Sequence, residues 1–302
     1  MSRASRRLRR DGPWNGGPRA TWPTKRSNKA LSPPFRRVRS AVFYKQADLK
    51  PHRSRYWLNA KTKTEDPVAF AKQVETICTL YAYAPLLRAL GAHIVRCDEM
   101  TGIQALERVA PTKPLRPGLV EREEFEYKRH GTQSLIANFD VVTGQVVAPS
   151  LGPTRTEVDF ARHIGQTIAP DPAGVWVFVV DQLNTHQSEA LVRLVAAQCG
   201  LTEELGVKGE CGILHSMATR AAFLSDATHR IQFVYVPKHT SWLNQIEIWF
   251  SILVRRAGAL WAKRGNFRSV EDLRTRILAF IDYFNQTAKP FKWTYTGRPL
   301  VA

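Results

Sequence analysis

Val175-Trp176-Val177-Phe178-Val179-Val180-Asp181 is a run of six apolar residues, β-branched or aromatic throughout, closed by a carboxylate. Six residues are far too few to cross a bilayer. They suit a strand buried on both faces, the kind found in the middle of a sheet with helices on either side. Asp181 then emerges where that strand leaves the core.

Working outward, His93-Ile94-Val95-Arg96-Cys97 has strand length and a β-branched pair, and it places Asp98, followed by Glu99, at a strand's end. Residues 133–141 and 145–148 flank Val142-Thr143-Gly144 as a hairpin with glycine in its turn. Thr156-Glu157-Val158-Asp159 reads as a helix start with Phe160, Ile164 and Ile168 on one face, so Asp159 is taken as a helix-start residue. A helix over 189–197 and a strand over 231–236, ended by Pro237, follow. After Asn244 the chain turns helical, with Ile246, Phe250, Leu253 and Ala257 on one face and Asn244, Glu247, Ser251 and Arg255 on the neighbouring polar one. A last helix opens at Ser269-Val270-Glu271-Asp272 and buries Leu273, Ile277, Phe280 and Phe284. Ahead of the first strand, residues 66–90 form one helix capped by Asp66-Pro67, with Phe70, Val74, Ile77 and Tyr81 inward. The series predicts an α/β fold: a mixed sheet with helices on both faces.

Asp98, Asp181 and Glu247 can meet only if the two strands are neighbours and the third helix packs beside them. Such hard oxygen ligands hold Mg²⁺ or Mn²⁺, and two ions about 3.5–4 Å apart stabilise the attacking and leaving oxygens of an in-line displacement at phosphorus. Without metal, the like charges raise one another's pKa. Each acid also has an ordinary reading: a strand-end turn for Asp98, an Asx turn for Asp181, and dipole complementarity at a helix N-terminus for Glu247. Glu99, Glu107 and the glutamates of 121–126 are read as surface charges.

Asp98-Glu99-Met100, Asp181-Gln182-Leu183-Asn184-Thr185-His186 and Pro237-Lys238-His239-Thr240-Ser241-Trp242-Leu243-Asn244-Gln245-Ile246-Glu247 resemble the three motifs of bacterial insertion-sequence transposases of the mariner superfamily, the DDE type. The third is the most specific, with Pro237, Ser241, Leu243-Asn244 and Ile246-Glu247 in the family's order. The resemblance runs from about Asp66 to the C-terminus, including Lys289-Pro290-Phe291-Lys292-Trp293-Thr294. It implies a ribonuclease-H-like catalytic domain in which Asp98, Asp181 and Glu247 bind a pair of Mg²⁺ or Mn²⁺ ions. These cut DNA at the element's terminal repeats and activate the freed 3′-hydroxyl for joining to target DNA. It implies that Asn184 and His186, with Ser241 and Asn244 of the third motif, position DNA or a water beside the metals, and that two copies pair on DNA as a homodimer. The chain departs from the pattern at Gln182, where the family often has Asn, and in a stretch between Asp181 and Glu247 much longer than the mariner one.

That extra length lies mostly at 200–230, an insertion with little periodicity, and Lys208, His215 and Arg220 within it are candidate DNA contacts; a surface insertion without a role is the plain alternative. Lys238, Arg255 and Arg256 join the candidates beside the third motif. Residues 1–60 carry 16 lysines and arginines against Asp11 and Asp48, while the remainder carries 28 against 24 acids. Residues 1–62 therefore read as a basic, largely disordered arm that neutralises phosphates, and Arg53 and Arg55 with Tyr56 and Trp57 suit backbone contact and stacking. A solvated tail and a transit peptide are the alternatives. Residues 63–302 are then the catalytic domain. A helix-turn-helix reader is not evident ahead of it, so the alternative to an active transposase is a truncated remnant that binds DNA non-specifically. Cys78, Cys97, Cys199 and Cys211 lack zinc spacing and read as buried thiols in a reducing cytosol, with no membrane segment and action at the nucleoid.

Overall fold

The computed structural model describes residues 63, 65–257 and 266–295. The chain divides into two compact units, Met1–Trp57 and Leu58–Ala302, and every described residue belongs to the second. The basic arm expected at 1–62, with Arg53 and Arg55, lies outside the described residues.

The elements are α1 (Pro67–Ala89), β1 (Ala92–Arg108), β2 (Tyr127–Asp140), β3 (Val146–Gly152), α2 (Glu157–Ile168), β4 (Val175–Val180), α3 (Glu189–Cys199), α4 (Met217–Leu224), β5 (Ile231–Tyr235), α5 (Gln245–Ile252) and α6 (Val270–Gln286). The strands make one sheet in the order β3-β2-β1-β4-β5. The pairs β3–β2 and β2–β1 are antiparallel, and β1–β4 and β4–β5 are parallel. This is the ribonuclease-H-like mixed sheet that the resemblance implies.

Alternation of side chains explains the layers. Trp176, Phe178 and Val180 of β4 enter one core with Phe160, Ile164 and Ile168 of α2 and Leu191, Val192 and Val195 of α3. Val177 and Val179 enter another, with Val74, Ile77 and Tyr81 of α1. A third cluster joins Leu135, Ala137 and Phe139 of β2 to Ile246, Trp249 and Phe250 of α5 and Leu273 and Ile277 of α6. Phe178 stacks on Phe233 of β5 with ring centroids 5.2 Å apart. Each such buried ring contributes roughly 1.5–3 kcal/mol by leaving water.

Helix starts follow their local chemistry. Asp66 accepts from Ala69 N–H at the N-cap of α1, followed by Pro67. Thr156 and Asp159 form a reciprocal capping box on α2, the helix-start role read for Asp159. Gly144, in the β2–β3 turn, has φ +74°, and a Cβ there would lie 2.2 Å from the Lys289 carbonyl carbon, so the turn requires glycine.

The stretch 200–230 is more ordered than its composition suggests. It holds α4, started by a Ser216–Thr219 capping box, and a bridge between Val207 and Cys211, while Leu214, Phe223 and Leu224 join the core of α2 and α3. Three to four well-placed apolar residues anchor a segment too short for a clear period. Cys78 and Cys97 are buried, but Cys199 is half-buried and Cys211 exposed, which corrects the expectation of four buried thiols. Among the described residues no helix is long and apolar enough to cross a membrane.

Candidate active site

β1 and β4 pair with Ile94 opposite Val177 and Arg96 opposite Val179. Since side chains alternate along a strand, Ile94, Arg96 and Asp98 project from one face, and Val177, Val179 and Asp181 from the same face of the neighbouring strand. Ile94, Val177 and Val179 share the core against α1. The next position in each row is a carboxylate, so the register itself delivers Asp98 and Asp181 to one edge of the sheet.

Asp98 does not end its strand, contrary to the sequence reading. The parallel pairing with β4 stops at Arg96, but the other edge of β1 goes on pairing with β2 as far as Arg108. What Asp98 marks is the end of β4's cover, and that leaves its carboxylate at a cleft. Asp181 follows β4 directly.

Glu247 arrives from the opposite wall. After β5 the chain turns through Pro237 and through His239, held at φ +62°, and then a 3-10 turn (Ser241–Leu243) leads into α5. Glu247 is exposed in the first turn of that helix. Asp98, Asp181 and Glu247 line one cleft of 290 Å³, together with Lys238, Ser241 and Asn244.

Asn244 is not on the polar stripe of α5, where helical spacing placed it. It is the N-cap residue, 3% exposed, and its side chain makes no capping bond. Its amide nitrogen instead donates to Asp98 Oδ2, and its Oδ1 accepts from Arg96 Nε at 2.8 Å. A local helix rule is broken to fix a carboxylate, the pattern expected at a functional site. Arg96 is 0% exposed, and its two terminal nitrogens have no hydrogen-bond partner among the described residues.

A second set of contacts surrounds Asp181. The 3-10 turn Asn184–Gln187 folds His186 back so that Nδ1 lies 2.7 Å from Asp181 Oδ1, while Nε2 lies 3.1 Å from Glu99 Oε1. Glu99 is therefore not a surface charge, since its side chain is 2% exposed. Asn184, by contrast, is exposed and outside the cleft.

The electrostatics follow from burial and charge. Desolvation lifts the Asp98 carboxyl to about 6, and the Asp181 and Glu99 charges push the same way against the Glu99 N–H and Arg96. Burial would also raise Asp181, but the hydrogen bond and charge of His186, the Leu183 N–H and Arg96 hold it below the usual carboxylate range. Burial disfavours a charged His186, yet its hydrogen bonds to Asp181 and Glu99 and their charges raise it to about 10, so it is an imidazolium.

The donor chemistry suits a hard divalent cation: oxygen ligands only, gathered as carboxylates on one cleft. As placed, however, no three acidic, histidine or cysteine side chains among the described residues come close enough together to hold one ion. Asp98 and Asp181 are neighbours, and Glu247 shares their cleft without meeting them.

The expected DNA contacts divide. Lys238 is exposed at the cleft. Arg255 lines a pocket of 570 Å³ that shares Glu247, and Arg256 is exposed on the π-helical turn Leu253–Ala257. Lys208 is half-exposed and paired with Glu157 at 3.5 Å and Glu189 at 3.8 Å. His215 is exposed. Arg220 is 8% exposed and donates to the carbonyls of Gln187 at 2.6 Å and Leu214 at 2.9 Å. It ties the inserted segment to the turn carrying His186 and does not face DNA.

Sequence reasoning missed Glu99, Arg96 and the task of Asn244. One signal for Glu99 was available: Val95, Cys97 and Glu99 share a strand face that is otherwise apolar.

The family described as DDE superfamily endonuclease matches residues 93–274. No curated protein matches the chain. Solved structures that resemble it include a Mos1 transposase paired-end complex with the left transposon end (12% identity, TM-score 0.45, 83% of this chain and 64% of that one). Others are a Mos1 mariner paired-end complex with Mn (13%, 0.46, 81% and 63%) and the catalytic domain of Mos1 mariner transposase (11%, 0.42, 76% and 85%). The chain thus spans less than two thirds of the length of the two paired-end complex chains.

Proposed function

Because the chain belongs to the DDE superfamily endonucleases, we propose that it is a transposase that cuts DNA at the ends of an insertion sequence and joins the freed 3′-hydroxyl to target DNA. The observation that carries this is the register of β1 against β4, which sets Asp98 and Asp181 at one sheet edge with Glu247 on the wall of the same cleft. Asp98, Asp181 and Glu247 would hold a pair of Mg²⁺ or Mn²⁺ ions. Bound there, the ions supply charge neutralisation at the phosphate and a more acidic water or hydroxyl as nucleophile.

The chain's own residues do the positioning. Asn244, braced by buried Arg96, fixes Asp98. His186 fixes Asp181. Lys238 at the cleft and Arg255 and Arg256 past Glu247 meet DNA phosphates, which makes binding fall steeply with salt. The partners are the element's terminal repeats and target DNA, engaged by two copies of the chain.

A second reading, a DNA-binding remnant that cannot complete transposition, is favoured by the separation of Glu247 from the two aspartates. One experiment separates the two: the purified protein with Mn²⁺ and a labelled duplex carrying the element's end, with Asp181→Ala as control. Cuts by the wild type alone support the transposase. Binding without cuts supports the remnant.

A further inference from the structure

Glu99 follows Asp98 in sequence but projects from the opposite face of β1, with Val95 and Cys97, on the side packed by α2 and α3. A carboxylate buried there is costly unless it is paired. Its partner is the ring of His186, which is itself 0% exposed. That ring lies 4.3 Å from the ring of Phe160 between centroids, and the backbone oxygen of His186 accepts from the Tyr235 hydroxyl at 2.8 Å. The imidazole is therefore held from several directions, and it reaches from the helix-covered core to the sheet edge where Asp181 stands.

The consequence falls on one atom. His186 Nδ1 at 2.7 Å and the Leu183 N–H at 2.9 Å both bond to Asp181 Oδ1. Among the described residues, Oδ2 has no such partner. Asp181 is half-exposed to the cleft while its Oδ1 is clamped from behind.

We propose that Glu99 is a positioning residue: through the His186 ring it fixes the rotation of the Asp181 carboxylate so that Oδ2, and not Oδ1, is the oxygen presented to a divalent cation in the cleft. This deepens the proposed function and rests on its reading of Asp181 as a metal ligand. The arrangement is a carboxylate–imidazole–carboxylate strut crossing from one face of the sheet to the other. The imidazole touches no metal in it, and both of its nitrogens are used to orient acids. The strut also assigns a task to the histidine five residues after the second aspartate, a spacing that the 3-10 turn converts into contact.

The test is Mn²⁺ binding by the full-length protein without DNA, followed by titration calorimetry, with thermal midpoints measured on the same samples. Glu99→Ala should keep the fold and weaken Mn²⁺ binding about tenfold, the low end of what loss of a partner behind a metal ligand costs. Glu99→Gln, which still accepts a hydrogen bond from His186, should stay within about threefold of wild type by the same reasoning. Wild-type affinity in Glu99→Ala, with binding lost in Asp181→Ala, would overturn the positioning role and leave the metal site standing. Equal weakening in the alanine and glutamine variants would also overturn it, because Glu99 would then act by charge or as a ligand. Undiminished binding in Asp181→Ala would remove the metal-site reading itself. Should Glu99→Ala not fold, Glu99→Met fills the space without accepting a hydrogen bond and takes its place in the same comparison.

Discussion

Asn244→Ala removes the one side chain that joins Arg96 to Asp98, and the structure allows its cost to be worked out. Arg96 Nε would lose its acceptor at a site with 0% exposure, where water cannot take over. A hydrogen bond to a charged group contributes about 1.5–3 kcal/mol, and a buried group left unpaired costs a similar amount. Asp98 would also lose a donor, but it borders the cleft, so that loss is smaller. The helix cap adds nothing, because the Asn244 side chain makes no capping bond. The expected loss is about 3 kcal/mol, which for a folded unit of this size lowers the midpoint by roughly 6–12 °C. Thermal unfolding followed by circular dichroism measures it, and Asn244→Ser is the informative partner. Serine is a good N-cap, so it would be nearly neutral if Asn244 served its helix, whereas the bridging role predicts a fall close to that of alanine. A loss below about 1 kcal/mol in the alanine variant, or full recovery in the serine one, would refute the reasoning.

Other expectations follow from single contacts. Arg220→Ala strips donors from two buried carbonyls and should cost about 3 kcal/mol in urea unfolding while leaving the salt dependence of DNA binding alone; a slope smaller by about one would return Arg220 to the DNA contacts. Gly144→Ala should cost more than the roughly 1–2 kcal/mol of left-handed strain alone, since its Cβ meets the Lys289 backbone, and an unshifted urea midpoint would contradict this. Because the folded Asp98 titrates near 6, above its unfolded value, it takes up a proton as pH falls through that range; Mn²⁺ affinity should then drop about tenfold per unit below it, and affinity flat to pH 4.5 would speak against Asp98 as a ligand. The same sign makes this group's contribution to the stability of the metal-free protein largest below its unfolded pKa and lost as pH rises through 6. Asp98→Ala, Asp181→Ala and Glu247→Ala should each abolish cleavage while DNA binding persists or tightens in gel-shift assays, and cleavage surviving any one of them would remove that acid from the site.

Legibility in the sequence tracked burial. Val175–Val180 could be read as a central strand because both of its faces enter cores, and a run apolar at every position has few other homes. The hairpin turn, the capping box and the amphipathic α6 were equally readable, each resting on contacts a few residues apart. Asp98 was misplaced at a strand end because what ends there is pairing with β4, a partner some eighty residues later in the chain. Glu99 was misread because a charged residue in a strand is usually exposed, and the histidine that pairs it is brought in by a turn after a different strand. The stretch 200–230 has apolar anchors at Leu214, Phe223 and Leu224 that only the finished core reveals. Arg220 looked like a DNA contact because composition cannot tell a cation facing solvent from one that ties two loops together.

The most direct test of the central claim, that Asp98, Asp181 and Glu247 form a metal-binding active site, is anomalous diffraction from crystals soaked in Mn²⁺. The account predicts peaks in the cleft within about 2 Å of carboxylate oxygens of Asp98 and Asp181, with Glu247 completing the set. An empty cleft with Mn²⁺ bound elsewhere, or peaks that persist unchanged in Asp181→Ala crystals, would contradict it.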